Sequence, residues 1–380
     1  NVAHSFPTRR SSDLDDAIWA KDFELSKARL IFNGQVSESV FFFIQTADLK
    51  AGAVREEDSE YNELSNVFTQ DAYVQFKPFD WFQVYAGLMA LPFSRQSLTT
   101  DATGLSGDVI SSMIPFDNYS GNGRDTGIML RGIILEKVEY RLGAYRGLGR
   151  KVYDNYAGRT DPNSTPTPTN REDDAVRNKN DMPRYTGRVQ VNILESEDGY
   201  YYSDNYLGKR DVLAFGFGGD YQQDVFDKKG DGNFKDYYAF SADINFDFGF
   251  ATSYAANFQT GFIKGKNNPV AGSGYAKDET TGQISFKQGT FNSYTGYYAQ
   301  AGFLAMDIVQ PWVRYTYRVN KDEQKTNGTN DNDYKVVSGG INWFINGHYA
   351  SVRLEYNFPL GESAEDPGTH CVSLKAQTYF

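Results

Sequence analysis

The chain has 380 residues, a mean hydropathy of −0.57 and a formal net charge of −11. It has no run of about twenty apolar residues that could form a transmembrane helix, and its 16% aromatic content excludes an intrinsically disordered chain. The acidic balance argues against nucleic-acid binding, and the single cysteine, Cys371, excludes an intrachain disulfide or a cysteine zinc site.

The N-terminal segment differs from the rest of the chain. Ser5 to Leu14 reads SFPTRRSSDL, which we interpret as a translated sequencing adapter, and no signal-peptide pattern surrounds it. We therefore predict that residues 1–14 are non-native. Residues 15–380 are predicted to form a single domain.

From Asp22 onward, short segments of alternating apolar and polar residues recur between turn signals, which is typical of half-buried β-strands. Each segment is about as long as a tilted strand that crosses an outer membrane. They lie near residues 27–32, 40–44, 72–77, 82–88, 124–134, 137–146, 183–194, 211–222, 235–247, 249–260, 294–304, 309–320, 334–344, 349–358 and 371–380.

The connections between these segments alternate between short and long, as periplasmic turns and outer loops do in membrane barrels. The connection at 195–210 breaks the pattern, because a short turn is due there. Bacterial single-chain barrels have even strand numbers, and the segments number one short of sixteen. We predict an all-β, transmembrane, antiparallel up-and-down β-barrel of about 16 strands whose first strand is missing from this chain.

Short motifs resemble the phosphate-selective porin O and P family. They are Lys27–Leu30 (KARL), Asp71–Phe76 (DAYVQF), Gly87–Phe93 (GLMALPF), Gly123–Gly127 (GRDTG) and Val352–Tyr356 (VRLEY). The resemblance implies a homotrimeric, sixteen-stranded outer-membrane channel in a Gram-negative bacterium, with one loop folded inward as a constriction. Family members include anion-specific pores. The resemblance therefore implies that small solutes, including phosphate and other anions, pass through the channel.

The inward loop is expected at about 91–123, since a connection of this length is typical of a functional element. Its candidate constriction residues are Arg95, Asp101, Asp108 and Asp117, with Arg124 at its end.

Strand alternation assigns a set of bases to the pore wall. If Val352 and Leu354 face lipid, Arg353 faces the lumen, and the same logic extends to the other strands. The predicted basic wall comprises Lys27, Arg29, Arg131, Arg141, Arg184, Arg188, Arg314, Arg318, Arg353 and Lys375. Lumen acids are expected to be fewer, mainly Glu139, Asp243, Asp247 and Glu355. Fixed positive charge would favour anions. The other interpretation is that these bases pair with lumen carboxylates and only fill the wall.

No Gly-x-Ser-x-Gly elbow, His-Glu-x-x-His or P-loop motif is present, so we predict no enzyme activity and no cofactor or metal. Two alternatives stay open: a closed barrel that acts as a surface binding protein, and an outer-membrane hydrolase. The predicted partners are outer-membrane lipid, sister subunits and the barrel assembly machinery, which would recognise the terminal strand that ends in Phe380.

Overall fold

The fold is described from a computed structural model. The described residues are 2–5, 24–46, 69–114, 123–148, 151–153, 175–178, 180–227, 234–269, 274–277, 284–287, 291–322, 334–360 and 371–378.

Within these residues the chain forms strands and three one-turn 3-10 helices. The strands are β1 (Val2–Ser5), β2 (Glu24–Ala28), β3 (Ile31–Ser37), β4 (Val40–Thr46), β5 (Thr69–Phe79), β6 (Phe82–Ala90), β7 (Arg124–Ile134), β8 (Val138–Tyr145), β9 (Lys151–Tyr153), β10 (Ala175–Arg177), β11 (Arg184–Asn192), β12 (Val212–Asp227), β13 (Phe234–Ala251), β14 (Tyr254–Pro269), β15 (Gly274–Lys277), β16 (Ile284–Lys287), β17 (Phe291–Ala305), β18 (Val309–Asp322), β19 (Tyr334–Asn346), β20 (Ala350–Pro359) and β21 (Cys371–Thr378). The 3-10 helices are Gln96–Leu98, Asp101–Thr103 and Ser111–Met113.

Successive wall strands pair antiparallel, as the alternating sequence pattern predicts. β2 and β3 follow each other as one interrupted strand, and β1 pairs with both β2 and β21. With β1 counted, β2/β3, β4–β8, β11–β14 and β17–β21 make sixteen wall positions. β1 therefore takes the place where the sequence predicts a missing strand. The non-native origin of residues 1–14 stays a prediction.

Side chains alternate between the lumen and the outer face along each wall strand. In β11, Arg184 and Arg188 are buried in the lumen, whereas Tyr185 and Val189 are exposed on the outside. The same outer face carries Phe217, which is 61% exposed. An apolar exterior around a polar interior is the pattern of a barrel that faces lipid.

Tight turns join strands at one end of the barrel, which we call the short-turn end. Leu135 and Glu136 both have positive φ, at 51° and 55°, and Met306 and Asp307 repeat this conformation at 55° and 57°. Two consecutive residues with positive φ are the signature of type I′ turns, whose twist matches that of the flanking strands.

The lumen of the described barrel contains apolar clusters as well as polar side chains. One cluster packs Phe93, Ile110 and Met113 against tyrosines of β13 and β17. A second gathers Leu98 with Tyr200 and Tyr202, and a third contains Leu207 and Phe344. Residues between the wall strands, around 93–113 and 200–207, therefore complete the interior of the barrel.

Among the described residues, no helix is long and apolar enough to span a membrane. The fifteen segments expected from alternation all appear as strands. The strands β12–β14 and β17 run several residues beyond the expected ends, and β13 reaches 18 residues, which is more than a bilayer crossing of about 9–11 residues needs.

Candidate functional site

The first inserted segment is the described part of the predicted constriction loop, residues 91–114. It lies against the lumen wall formed by β12 and β13. The hydroxyl of Ser241 donates to the carbonyl of Phe93 at 2.5 Å, and the amide of Arg95 donates to the Asp243 carboxylate at 3.1 Å. The segment approaches strand β12 closely at Gly218. An added Cβ there would lie 1.8 Å from the Phe93 oxygen, so this approach requires glycine. The described part of the loop, residues 91–114, thus lies against the inner face of the wall.

A second segment enters the lumen from the opposite, short-turn end. It is the connection 195–210 between β11 and β12, which the sequence marks only as too long for a turn. The amide of Tyr202 donates to the Leu98 carbonyl at 2.8 Å, and the amide of Thr100 donates to the Tyr202 carbonyl at 3.2 Å. These bonds join the two inserted segments, which we call the outer and inner inserts.

A buried ion pair joins the two inserts. Arg95 donates to both oxygens of Glu197, at 2.7 Å and 2.6 Å, and both side chains are 1% exposed. Burial alone would lower the pKa of Arg95, but the adjacent Glu197 carboxylate raises it well above its usual value. Glu197 also accepts hydrogen bonds from Gln190 and from the hydroxyl of Tyr206. Both oxygens of the Glu197 carboxylate thus accept hydrogen bonds, as a buried charge requires.

Tyr202 of the inner insert sits among arginines. Its hydroxyl donates to Glu139 at 2.7 Å, and the guanidinium groups of Arg95, Arg141 and Arg188 lie 5.0 Å, 4.9 Å and 5.6 Å from its ring centre. Burial raises the pKa of Tyr202 to about 12, so the phenol stays protonated and keeps donating its hydrogen bond. Cations over an aromatic face stabilise its position.

The tip of the outer insert is held by bases on the opposite wall. Asp101 accepts from Arg29 at 2.6 Å and lies 3.1 Å from Lys27. Asp108 pairs with Lys27 and with Lys375, the latter at 2.7 Å. Partial desolvation in the lumen would raise the pKa of Asp108, but these two ammonium groups lower it below its ordinary value. The Asp108 side chain is 47% exposed, more than the lumen bases that hold it, so water reaches this side of the lumen.

Most predicted wall bases lie in the lumen and are paired with carboxylates. Arg131 and Arg141 share Glu139 at 2.6 Å and 2.8 Å. Two further pairs follow the same pattern. They are Arg188 with Asp243 at 2.6 Å, and Arg184 with Asp220.

Three wall arginines are bound to the outer insert by other groups. Arg353 donates to the carbonyls of Gly104 and Ala102 at 2.6 Å and 2.8 Å. Arg314 donates to the Ser106 hydroxyl at 3.1 Å, and Arg318 donates to the Ser112 carbonyl at 2.8 Å. The wall thus fixes the insert through its backbone as well as through its acids.

The wall is less basic than the sequence predicts. Glu139, Asp243, Asp247 and Glu355 are buried in the lumen as expected, but further buried carboxylates nearly match the bases. These additional acids are Asp71, Asp125, Glu197, Asp204 and Asp220. Several of them begin or interrupt an alternating segment, where assignment to lumen or exterior is least certain from the sequence.

The remaining predicted residues are accounted for as follows. Arg124 lies at the end of the outer loop and pairs with Asp71 at 3.1 Å. Asp117 and the terminal Phe380 lie outside the described residues. The entry of the inner insert into the lumen was not predicted. Its only sequence signal was the unusual length of the connection 195–210.

Comparison with known protein families gives one match. The model of the family described as phosphate-selective porin O and P matches residues 13–145. This range contains four of the five motifs on which the resemblance rests, so the resemblance is confirmed over the first part of the chain. No curated protein matches the chain.

Solved structures share the fold. The chain is similar to a Salmonella typhi OmpF complex with daunomycin, with a TM-score of 0.57 and 12% identity over 99% of this chain and 96% of that one. It is also similar to the outer membrane channel DcaP of Acinetobacter baumannii, with a TM-score of 0.54 and 14% identity over 100% and 95%. The porin fold and the family match together indicate an integral outer-membrane protein.

Proposed function

We propose that this chain, which resembles the phosphate-selective porin O and P family over residues 13–145 and has the fold of outer-membrane porins, is a channel for passive diffusion of small solutes. The meeting of the two inserts inside the barrel carries the proposal. Segments that enter from both ends and join through Leu98, Thr100 and Tyr202 would narrow the lumen. Solutes would move down their gradient past the inserts.

Liposome swelling tests this proposal directly. Vesicles that contain the refolded chain should swell in small sugars and stop swelling as the sugar becomes larger, because the inserts set a size limit. Vesicles that stay inert in every sugar, while the protein is folded and inserted, would contradict a diffusion channel.

A weak anion preference is the finer part of the proposal. It is supported by Arg314 and Arg353, which in the described structure bind hydroxyl, amide and carbonyl groups rather than a carboxylate. The pairing of the other wall bases argues for a weak preference rather than a strong one, because a neutralised pair adds little field at the path. A reversal potential measured under a salt gradient should favour anions slightly, and the double variant Arg314→Gln/Arg353→Gln should reduce the bias. A cation preference would contradict this part.

We also propose that the protein is a homotrimer, which the family resemblance implies. Cross-linking of the protein in mild detergent should yield a three-subunit species. A purely monomeric, folded species would contradict this proposal.

A second candidate function is a closed barrel that binds ligands at the cell surface. It is favoured by the dense packing of the inserts, since Phe93, Leu98, Met113 and Tyr202 are at most 1% exposed. The swelling assay separates the two functions, because a closed barrel would bind without passing sugars.

A further inference from the structure

The inner insert lines an open cleft of about 330 Å³ at the short-turn end. The cleft is lined by residues between 197 and 210, so a single continuous segment forms it. Its volume lies at the small end of the range for ligand pockets, about 300–1,000 Å³. The inserts' role in narrowing the lumen does not require a cleft of this kind.

The polar groups on the floor of the cleft already have hydrogen-bond partners within the protein. Glu197 is held by Arg95 through two bonds and by the Tyr206 hydroxyl at 2.6 Å. On the same floor, the Tyr201 hydroxyl lies 3.4 Å from a guanidinium nitrogen of Arg124. These contacts fix two tyrosine rings, which offer apolar faces to an occupant.

The rim of the cleft carries charged side chains of both signs that solvent reaches. The Asp198 side chain is 68% exposed and lies 3.3 Å from Arg210, whose side chain is 29% exposed. Lys209 is exposed, and its ammonium group makes no hydrogen bond or ion pair with the described residues. Arg210 also donates to the Ser196 carbonyl, and the Ser196 hydroxyl donates to Asp198 at 3.1 Å. An exposed ion pair contributes little by itself, so Arg210 and Asp198 can bind a ligand in place of each other while Ser196 holds them at the rim.

We propose that this cleft binds a small zwitterion with separated ammonium and carboxylate groups, such as a free amino acid or a dipeptide. Lys209 and Arg210 would receive the carboxylate, Asp198 would receive the ammonium group, and Tyr201 and Tyr206 would flank the side chain. The site deepens the proposed channel function, because it would hold a solute beside the Arg95–Glu197 contact on its way through the barrel.

The test uses the dipeptide Ala-Phe and calorimetry on the full chain refolded in detergent, so binding is measured without conduction. Ala-Phe should bind saturably, whereas N-acetylated and C-amidated Ala-Phe, which each lack one charge, should bind more weakly. Lys209→Gln and Asp198→Asn should each weaken binding by about fivefold, the factor that corresponds to an exposed ion pair of about 1 kcal/mol.

Two matched variants serve as controls. Lys77 and Asp80 form an exposed pair at 2.7 Å at the same end of the barrel, outside the cleft, so Lys77→Gln and Asp80→Asn should leave binding unchanged. Absence of saturable binding would overturn the proposal. So would binding of either blocked dipeptide as tight as that of Ala-Phe, or a loss in the control variants equal to that in Lys209→Gln and Asp198→Asn. Each of these results leaves the channel proposal untouched, since swelling is measured separately.

Discussion

At the scale of single residues, a glycine decides how closely the outer insert can approach the wall. A Cβ at Gly218 would lie 1.8 Å from the Phe93 carbonyl oxygen, whereas a Cβ at Gly219, on the outer face, would meet nothing within 4 Å. Alanine at Gly218 must therefore push the insert inward, or shift β12. Overpacking of this kind costs about 1–3 kcal/mol.

We expect Gly218→Ala to lower the urea midpoint of unfolding in detergent, and Gly219→Ala to leave it nearly unchanged. The two glycines are adjacent in one strand, so backbone propensity is matched. Equal effects of the two substitutions would show that the insert does not pack against this wall.

The Arg95–Glu197 pair is the strongest single link between the inserts. Removal of one partner of a buried pair leaves an uncompensated charge and costs about 3–5 kcal/mol. Arg95→Gln should therefore destabilise the protein strongly in urea unfolding, and the double variant Arg95→Gln/Glu197→Gln should recover part of the loss.

The exposed Lys77–Asp80 pair is the control for this prediction, because its side chains are 47% and 79% exposed. Lys77→Gln should cost less than about 1 kcal/mol. If the double variant is no more stable than Arg95→Gln alone, the two groups do not act as a pair.

We expect the contact between His348 and the inner insert to depend on pH. It lies in the turn between β19 and β20, and its Nε2 is 2.9 Å from the Asn205 carbonyl oxygen. Burial lowers the pKa of His348 to about 4, helped by the charges of Arg353 and Lys209 and opposed by the bond to Asn205. The ring is therefore neutral in the folded protein at pH 7, and Nε2 donates to the carbonyl.

Because the unfolded chain binds the His348 proton near pH 6.5 and the folded chain near pH 4, the contribution of His348 to stability should be constant above pH 6.5 and should fall as the pH drops between these values. At pH 5 the loss has an upper bound of about 2 kcal/mol, which partial exposure of the ring reduces. Thermal unfolding at pH 8 and pH 5 should show this drop, and His348→Gln should make it smaller. An unchanged drop in His348→Gln would assign the pH effect to other groups.

At the scale of elements, the two inserts form one unit. The amide of Tyr202 donates to the Leu98 carbonyl, and the amide of Thr100 donates to the Tyr202 carbonyl, as amides do between paired strands. Hydrogen exchange of peptides from 91–114 and 195–210 should therefore be slow. Replacement of 195–210 by an Asn-Gly turn, which suits a two-residue hairpin connection, should speed exchange in 91–114 while β12 and β13 stay protected. Fast exchange of the intact inserts would contradict this packing.

The sequence predicted which side chains of the wall strands face the lumen far better than it predicted the segments that lie inside the barrel. Strand alternation placed Arg184, Arg188 and Arg353 in the lumen, because a period of two leaves only two faces to choose from. It did not predict the inner insert, since contacts such as Tyr202 with Leu98 join residues more than a hundred positions apart and leave no local periodic signal. The acids Asp71 and Asp220 were missed for a related reason: pairing across strands, not local pattern, holds them inside.

At the scale of the whole molecule, the barrel has the fold of outer-membrane porins, and segments from both of its ends enter the lumen. The bases that suggest an anion path serve largely to hold the inserts, through Lys27 and Lys375 at Asp108 and through Arg353 at the backbone of the outer insert. The wall arginines thus have a structural role that does not depend on selectivity. Only those wall arginines that face the remaining water path can influence passing ions.

The most direct test is single-channel recording in a planar bilayer, comparing the intact chain with the variant in which 195–210 is replaced by a short turn. We predict stepwise conductance from both proteins, with steps several-fold larger in the shortened variant because half of the constriction is gone. Equal steps would contradict the claim that the inner insert narrows the pore. No conductance from folded, inserted protein of either kind would show that the barrel is closed.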